Sequence, residues 1–205
     1  MVKNRFSINA TILVLSLGLM FFTANLITAK ANNEEKIISY PGHVIPYDDL
    51  RELEKDSPII VQASFTGERE TVYPNITEGK LFRSDSLVEI HNVFKGDLEN
   101  QDKIIVYEPA IIDEDNNYVT IDGYKLMDEN GTYTLLLKPV KNKEGYAISG
   151  MYQGKYNNNI QKNGKNVTRS LDYEALSEVD YFGENIDHFK RLKEKVVEKY
   201  EVLSD

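Results

Sequence analysis

The sequence predicts a mainly β, α+β domain: a small antiparallel barrel flanked by a short N-terminal helix and a C-terminal amphipathic helix. Three observations carry this reading. Five segments rich in β-branched and aromatic residues lie between Pro58 and Tyr152, bounded by Gly, Pro, Asn or Asp. No helical periodicity separates them, which excludes the crossover helices of a doubly wound α/β fold. Apolar spacings of three and four occur only at the two ends of the domain. Closing short strands into a barrel, OB-like in its favoured form, removes two exposed edges; a two-sheet sandwich is the alternative that the same pattern allows.

Taken in order, Tyr47, Leu50 and Leu53 recur every third residue, and Asp48 and Asp49 stand where free helix N–H groups favour acids. A short helix over Tyr47 to Lys55 follows, stopped by Asp56-Ser57-Pro58. The continuous apolar start of Pro58 to Phe65 predicts a strand buried on both sides or inside a barrel, and Gly67-Glu68-Arg69-Glu70 reads as a polar turn. Leu87 to Phe94 is a second strand, closed by Lys95-Gly96-Asp97, and Lys103 to Tyr107 is a third, ended by Pro109. Tyr133 to Leu137 and Gly145 to Tyr152 complete the set. Asp122-Gly123 and Asn163-Gly164 tolerate positive φ and predict two further hairpins. The second would pair Lys155–Gln161 with Lys165–Ser170, strands polar enough to belong at an edge. Ile186, Phe189, Leu192, Val196, Tyr200 and Leu203 form one apolar stripe on the last helix. Phe189 and Leu192 are expected on the buried side and Lys193 on the wet side, while Leu176, Val179 and Phe182 extend the apolar face through a separate turn.

Ahead of this body, Lys3 and Arg5 precede a mostly apolar run from Ala10 to Ala24, and Ala29-Lys30-Ala31 supplies small residues where a signal peptidase reads. Residues 1–31 therefore read as a secretory signal peptide, 32–46 as a flexible lead-in and 47–205 as one β-rich domain with its C-terminal helix. The apolar run is shorter than the roughly 20 residues that span a bilayer, so no permanent membrane span is expected after cleavage. Removing the signal leaves 33 acids against 21 bases, a formal charge of -12 that repels phosphate backbones and argues against nucleic acid as a partner. The chain has no cysteine, which removes disulfides, thiolate metal sites and lipid anchoring. A short signal without cysteine fits a Gram-positive host and a secreted or wall-associated protein.

Leu50-Arg51-Glu52-Leu53, Ile59-Ile60-Val61, Val88-Glu89-Ile90, Val93-Phe94-Lys95-Gly96-Asp97 and Lys103-Ile104-Ile105-Val106 resemble a group of exported β-rich proteins of Gram-positive bacteria. Tyr133 to Leu137, Gly145-Tyr146 and Gly150 to Tyr156 extend the likeness, which covers Leu50 to Tyr156. The strand–Lys-Gly-Asp–strand element also resembles part of the netrin-like and tissue-inhibitor barrels, although those domains depend on cysteines that this chain lacks. Neither likeness implies a catalytic residue.

The chemistry searches are negative. His43, His91 and His188 have no metal-ligand spacing; His91 alone shares a strand face with an acid, Glu89. Asp113, Asp115 and Asn117 imitate the start of a calcium loop. Tyr118 and Tyr124 then occupy the positions that need Gly and a bidentate Glu, so a solvated hairpin tip is the better reading. No Gly-x-Ser-x-Gly elbow or phosphate-binding glycine pattern occurs. Thirteen tyrosines and no tryptophan mark the mature chain. Half-exposed strand packing is their expected use, and a contact surface around Tyr152, Gln153, Lys155, Tyr156 and Asn157 to Asn159 is the sharper alternative. No catalytic residue, metal ligand or cofactor site is assigned. The expected function is a secreted binding or structural domain that engages a protein or cell-wall polymer at the bacterial surface without catalysis. The alternative is a secreted hydrolase assembled from His91 and acidic residues.

Expression of the full chain should place a product beginning at Asn32 in the medium or at the outer surface. N-terminal sequencing checks this, and secreted material that retains Ile12 to Phe22 would overturn the cleavage.

Overall fold

The computed structural model describes residues 35–73, 81–98, 101–160 and 174–200. The proposed signal, the Asn163-Gly164 turn and the Lys165–Ser170 strand lie outside the described residues. The elements in order are β1 (Ile37–Tyr40), α1 (Leu50–Lys55), β2 (Ile59–Val72), β3 (Arg83–Lys95), β4 (Lys103–Glu108), β5 (Ala110–Ile112), β6 (Tyr118–Ile121), β7 (Thr132–Pro139), β8 (Tyr146–Ile148), β9 (Lys155–Asn157) and α2 (Ile186–Tyr200). Single 3-10 turns at Met151–Gly154 and Glu174–Glu178 join the last of these.

β2 closes the barrel. Residues Ile59–Ser64 pair antiparallel with β7, while the same strand pairs antiparallel with β3 on its other edge. β3 continues to β4, β4 runs parallel to β8, and β8 returns antiparallel to β7. The circuit β2-β3-β4-β8-β7 is a closed five-stranded barrel of OB-like order. A sandwich is thereby excluded. β9 continues the edge of β7 beyond β8, pairing Lys155–Asn157 with Leu135–Tyr133. A separate sheet of order β1-β6-β5 joins the N-terminal β1 to β5 and β6, which lie between β4 and β7 in the chain.

Gly67 to Glu70 is not a turn. It lies within β2, which resumes pairing with β3 at Arg69–Val72 after a register shift between Phe65 and Arg69. A strand of 14 residues must bend to follow a barrel wall, and Gly67, at φ 90°, supplies the bend as a bulge. Asp122-Gly123 does make the expected turn, with φ 50° and 66°. It leads only to a bridge between Tyr124 and Tyr181. The tight hairpin forms instead between β5 and β6. A Cβ on Gly123 would lie 2.2 Å from the Gly183 amide nitrogen, so this crossing requires glycine.

Two cores result. Val61, Ala63, Phe65, Val88, Val106, Leu135 and Leu137 fill the barrel interior, and Leu176 and Val179 join this core. Their outward neighbours Ile60 and Leu136 belong to a second core with Leu50 and Leu53 of α1 and Phe189, Leu192, Val196 and Tyr200 of α2. The runs Ile59-Ile60-Val61 and Leu135-Leu136-Leu137 are therefore apolar throughout because this wall is covered on both faces. Leu176 and Val179 thus face the interior and do not extend the stripe of α2.

α1 is short but well capped. Asp49 accepts from the Glu52 amide at 2.9 Å, and Glu52 reaches back to the Asp48 amide at 2.8 Å. Lys95 donates to the Glu54 and Ser57 carbonyls at its C-terminal end. Tyr200 and Lys199 of α2 both bond Glu54 of α1, joining the helices.

Phe189 and Leu192 are buried as the stripe requires, but Lys193 is buried beside them at 4% exposure. β9 is also interior: Lys155, Tyr156 and Asn157 are 2%, 0% and 4% exposed. Its polar composition implied an edge, and β9 is the last strand of its sheet; a buried counter-charge, described below, explains why that edge is covered. Leu192→Ala should cost about 2–3 kcal/mol by transfer and cavity terms together. Urea unfolding measures this, and an unchanged midpoint would mean that α2 does not pack on the barrel.

Candidate functional site

Strand alternation places Ile104, Val106 and Glu108 on the inward face of β4, so an acid follows two aliphatics into the core. Glu108 is fully buried. One carboxylate oxygen accepts from the Tyr124 hydroxyl and the Met127 amide, both at 2.9 Å. The other accepts from Ser86 Oγ and, at 3.1 Å, from Arg69 Nη2. Arg69 also donates to the Met127 carbonyl and to Ser86, and its guanidinium lies 4.2 Å from the Phe65 ring centroid. The bend in β2 is what brings Arg69 here.

A second carboxylate lies nearby. Asp180 follows the Glu174–Glu178 turn and is 3% exposed. Its Oδ1 accepts from Lys155 Nζ at 3.0 Å; its Oδ2 accepts from Lys193 Nζ at 3.1 Å and from the Asn157 amide at 2.8 Å. Lys193 also donates to the Ile160 carbonyl at 2.6 Å. Lys155 Nζ lies 5.2 Å from the ring centroids of both Tyr124 and Tyr133, so the aromatic faces help to hold its charge. Tyr124 thereby spans the two carboxylates.

Burial pushes the Asp180 carboxyl up, but Lys155, Lys193 and the Asn157 amide together outweigh it and hold the group below the usual range. Burial lowers the Lys193 ammonium against the opposing pull of Asp180. Burial likewise pushes the Tyr118, Tyr124 and Tyr156 phenols well up, so they remain neutral hydrogen-bonding groups. Perturbed ionisable groups are a mark of active sites. These groups are buried from solvent and hydrogen-bonded within the fold. Their physical role is to fasten β9, the 3-10 segment and α2 to the barrel.

The sequence candidates lie elsewhere. His91 is exposed on the outer face of β3, with Nε2 2.9 Å from Ser64 Oγ of β2. His188 bridges the Tyr47 carbonyl at 2.8 Å and the Tyr152 hydroxyl at 3.4 Å, pinning the lead-in to α2, and His43 is exposed. Among the described residues no three His, Asp or Glu side chains are grouped to hold a metal ion. Asp113 spends its oxygens on the hairpin: Oδ1 accepts from the Asp115 and Asn117 amides, Oδ2 from the Asn117 side chain. The Tyr152–Tyr156 surface does not exist as a surface, because Tyr152, Gln153 and Tyr156 are at most 2% exposed. Tyr152 stacks on Tyr181 at 4.3 Å and Tyr156 on Phe189 at 5.3 Å. Burial raises Tyr152 to about 12.

What remains is the exterior. A shallow cleft of about 270 Å³ between α1 and α2 is lined by Asp49, Leu50, Arg51, Glu54, Lys195 and Lys199. The exposed large apolar side chains among the described residues are Ile45, Leu81, Tyr40, Val93, Tyr73 and Ile112, at 87%, 70%, 52%, 47%, 45% and 38% exposure. Among the described residues no helix is long and apolar enough to cross a membrane. No protein-family model matches the chain, and neither the curated proteins nor the solved structures include a significant match.

Sequence reasoning missed Glu108, Asp180 and Lys193. Parity along β4 offered a signal for the first; no local pattern marks the other two.

Asp180→Asn should destabilise the fold by about 3–5 kcal/mol at neutral pH, because it leaves buried lysine charge uncompensated. The folded pKa of Asp180 lies below its unfolded value, so its contribution is complete above about pH 4 and is lost as the pH falls through the folded value. Urea unfolding of both proteins should therefore show a gap that narrows in strong acid. A gap independent of pH would overturn this assignment.

Proposed function

We propose that the protein is an exported, non-catalytic barrel domain, acting outside the cell or at the bacterial surface by binding a protein or wall polymer. The carrying observation is that its buried ionisable groups, Glu108, Asp180, Lys155 and Lys193, are sealed and mutually satisfied, which leaves the exterior as the working surface. Export rests on the three-part pattern of residues 1–31. The acidic balance favours partners that are neutral or cationic.

A second reading, a secreted hydrolase, has one observation in its favour. Ser64 and His91 lie within hydrogen-bond reach, as a nucleophile and its base must. Among the described residues no acid bonds the other ring nitrogen, and the pair stands on an exposed strand face.

Retention of the protein on purified cell wall and on immobilised secreted proteins, with elution by salt, tests the binding reading. Specific retention on one of these is expected, together with no ester hydrolysis that depends on Ser64 or His91. Full recovery in the unbound fraction throughout, or turnover abolished by Ser64→Ala, would overturn it.

A further inference from the structure

We propose that the outer edge of β1 and the apolar patch beside it form a docking surface for an extended, lysine- and arginine-rich segment of a partner protein. This deepens, and rests on, the binding reading above.

β1 is an edge strand. It pairs in parallel with β6 and with no other described strand. Lys36 and Tyr40 turn their carbonyls toward β6, accepting from the Tyr118 and Asp122 amides at 2.8 Å. Alternation then turns the backbone groups of Ile37 and Ser39 the other way, where an incoming strand would meet them.

Apolar side chains adjoin this edge. The Tyr40 ring lies 6.0 Å from that of Phe82. The β2–β3 ladder ends at Val72 opposite Arg83, so Tyr73 and Phe82 are the next residues on the two chains and Leu81 follows. Tyr73 in turn lies near the β5–β6 tip: partial burial raises its phenol, and so do the carboxylates of Glu114 and Asp113. Tyr40, Tyr73, Leu81 and Phe82 thus form an apolar strip bordered by that acidic tip.

Charge selects the occupant. Asp113 is held ionised by the Asn117 side chain and by backbone amides, with Glu114 and Asp115 beside it. The whole chain carries a formal charge of -9. A second copy would set like charges against each other, and an anionic polymer would be repelled. An extended segment that alternates cationic and apolar residues matches the unpaired edge, the apolar strip and the acidic tip together. Main-chain pairing supplies affinity in this mode, and side-chain contacts supply specificity.

The test is a nitrogen-15 NMR titration of the full chain with a short synthetic peptide alternating lysine and valine, beside its glutamate–valine counterpart. Saturable shifts confined to Ile37–Tyr40, Tyr73, Leu81, Phe82 and the β5–β6 tip are expected for the lysine peptide alone. They should weaken as salt shortens the screening length from about 10 Å toward 3 Å. Leu81→Ser and Glu114→Lys should each reduce affinity by about fivefold or more while leaving the melting temperature unchanged, as expected for exposed sites. Equal response to both peptides, shifts spread over the acidic surface, shifts at the α1–α2 cleft, or unaltered affinity in both variants would each overturn the assignment. Retention in the pull-down without shifts here sinks this surface and spares the broader reading. Lysine-peptide binding here without retention there does the reverse.

Discussion

The double pairing of β2 is the constraint on which the rest of the structure depends. Ile59–Ser64 hydrogen-bond to β7 on one edge and to β3 on the other, and this shared segment turns an open sheet into a closed barrel. Closure satisfies the backbone of both edges at once. It also fixes which side chains face inward, because a one-residue slip would exchange Ile59, Val61 and Ala63 for Ile60 and Gln62. Such a slip is costly for the interior and cheaper at Ile60, which is buried on the other side of the wall. The helices therefore cover the one wall whose outward residues need cover. The bulge around Gly67 carries the same strand past the barrel and delivers Arg69 to Glu108.

Fastening of the second layer falls to Asp180. Two buried lysines on one carboxylate leave a net positive charge in the interior, at a desolvation cost that apolar packing would avoid. What the arrangement supplies is uniqueness of docking. Lys155 comes from β9 and Lys193 from α2, and both meet one carboxylate only when strand, turn and helix are in register. The stacked rings of Tyr156 and Phe189 lie between the same two elements and add area without direction. The ion pairs choose the register and the aromatics contribute the burial.

The barrel was legible because its pattern is local. Alternation, turn residues and the contrast between an all-apolar run at Ile59–Val61 and an alternating Leu87–Phe94 can be read without knowing what contacts what. The errors have a common cause in long-range partners. Gly67 to Glu70 looks like a turn until β3 is seen to pair on both sides of it. Lys155 and Lys193 look wet until Asp180, distant from Lys155 in sequence, arrives as counter-charge. Tyr152 and Tyr156 look like a contact surface until α2 is laid over them. Polar residues in the core of a fold are specified by partners, and partners are what a single sequence conceals.

The fold withdraws Glu108, Asp180, Lys155 and Lys193 from solvent. A domain of this size could place its ionisable groups at a mouth, where access and a perturbed pKa together make chemistry. Here Tyr118, Tyr124, Tyr133, Leu176 and Val179 belong to the barrel core, and the buried carboxylates of Glu108 and Asp180 each accept several hydrogen bonds. Among the described aromatics most are buried or half-buried, while Tyr40 and Tyr73 remain about half exposed. Both stand where strand pairing runs out, Tyr40 at the end of β1 in the small sheet and Tyr73 past the last rung of β2 and β3 in the barrel. Apolar surface left at the end of hydrogen-bonded ladders offers both direction and area to another chain. Among the described residues Tyr40 and Tyr73 stand apart in this from the tyrosines of the two cores, which the fold has covered.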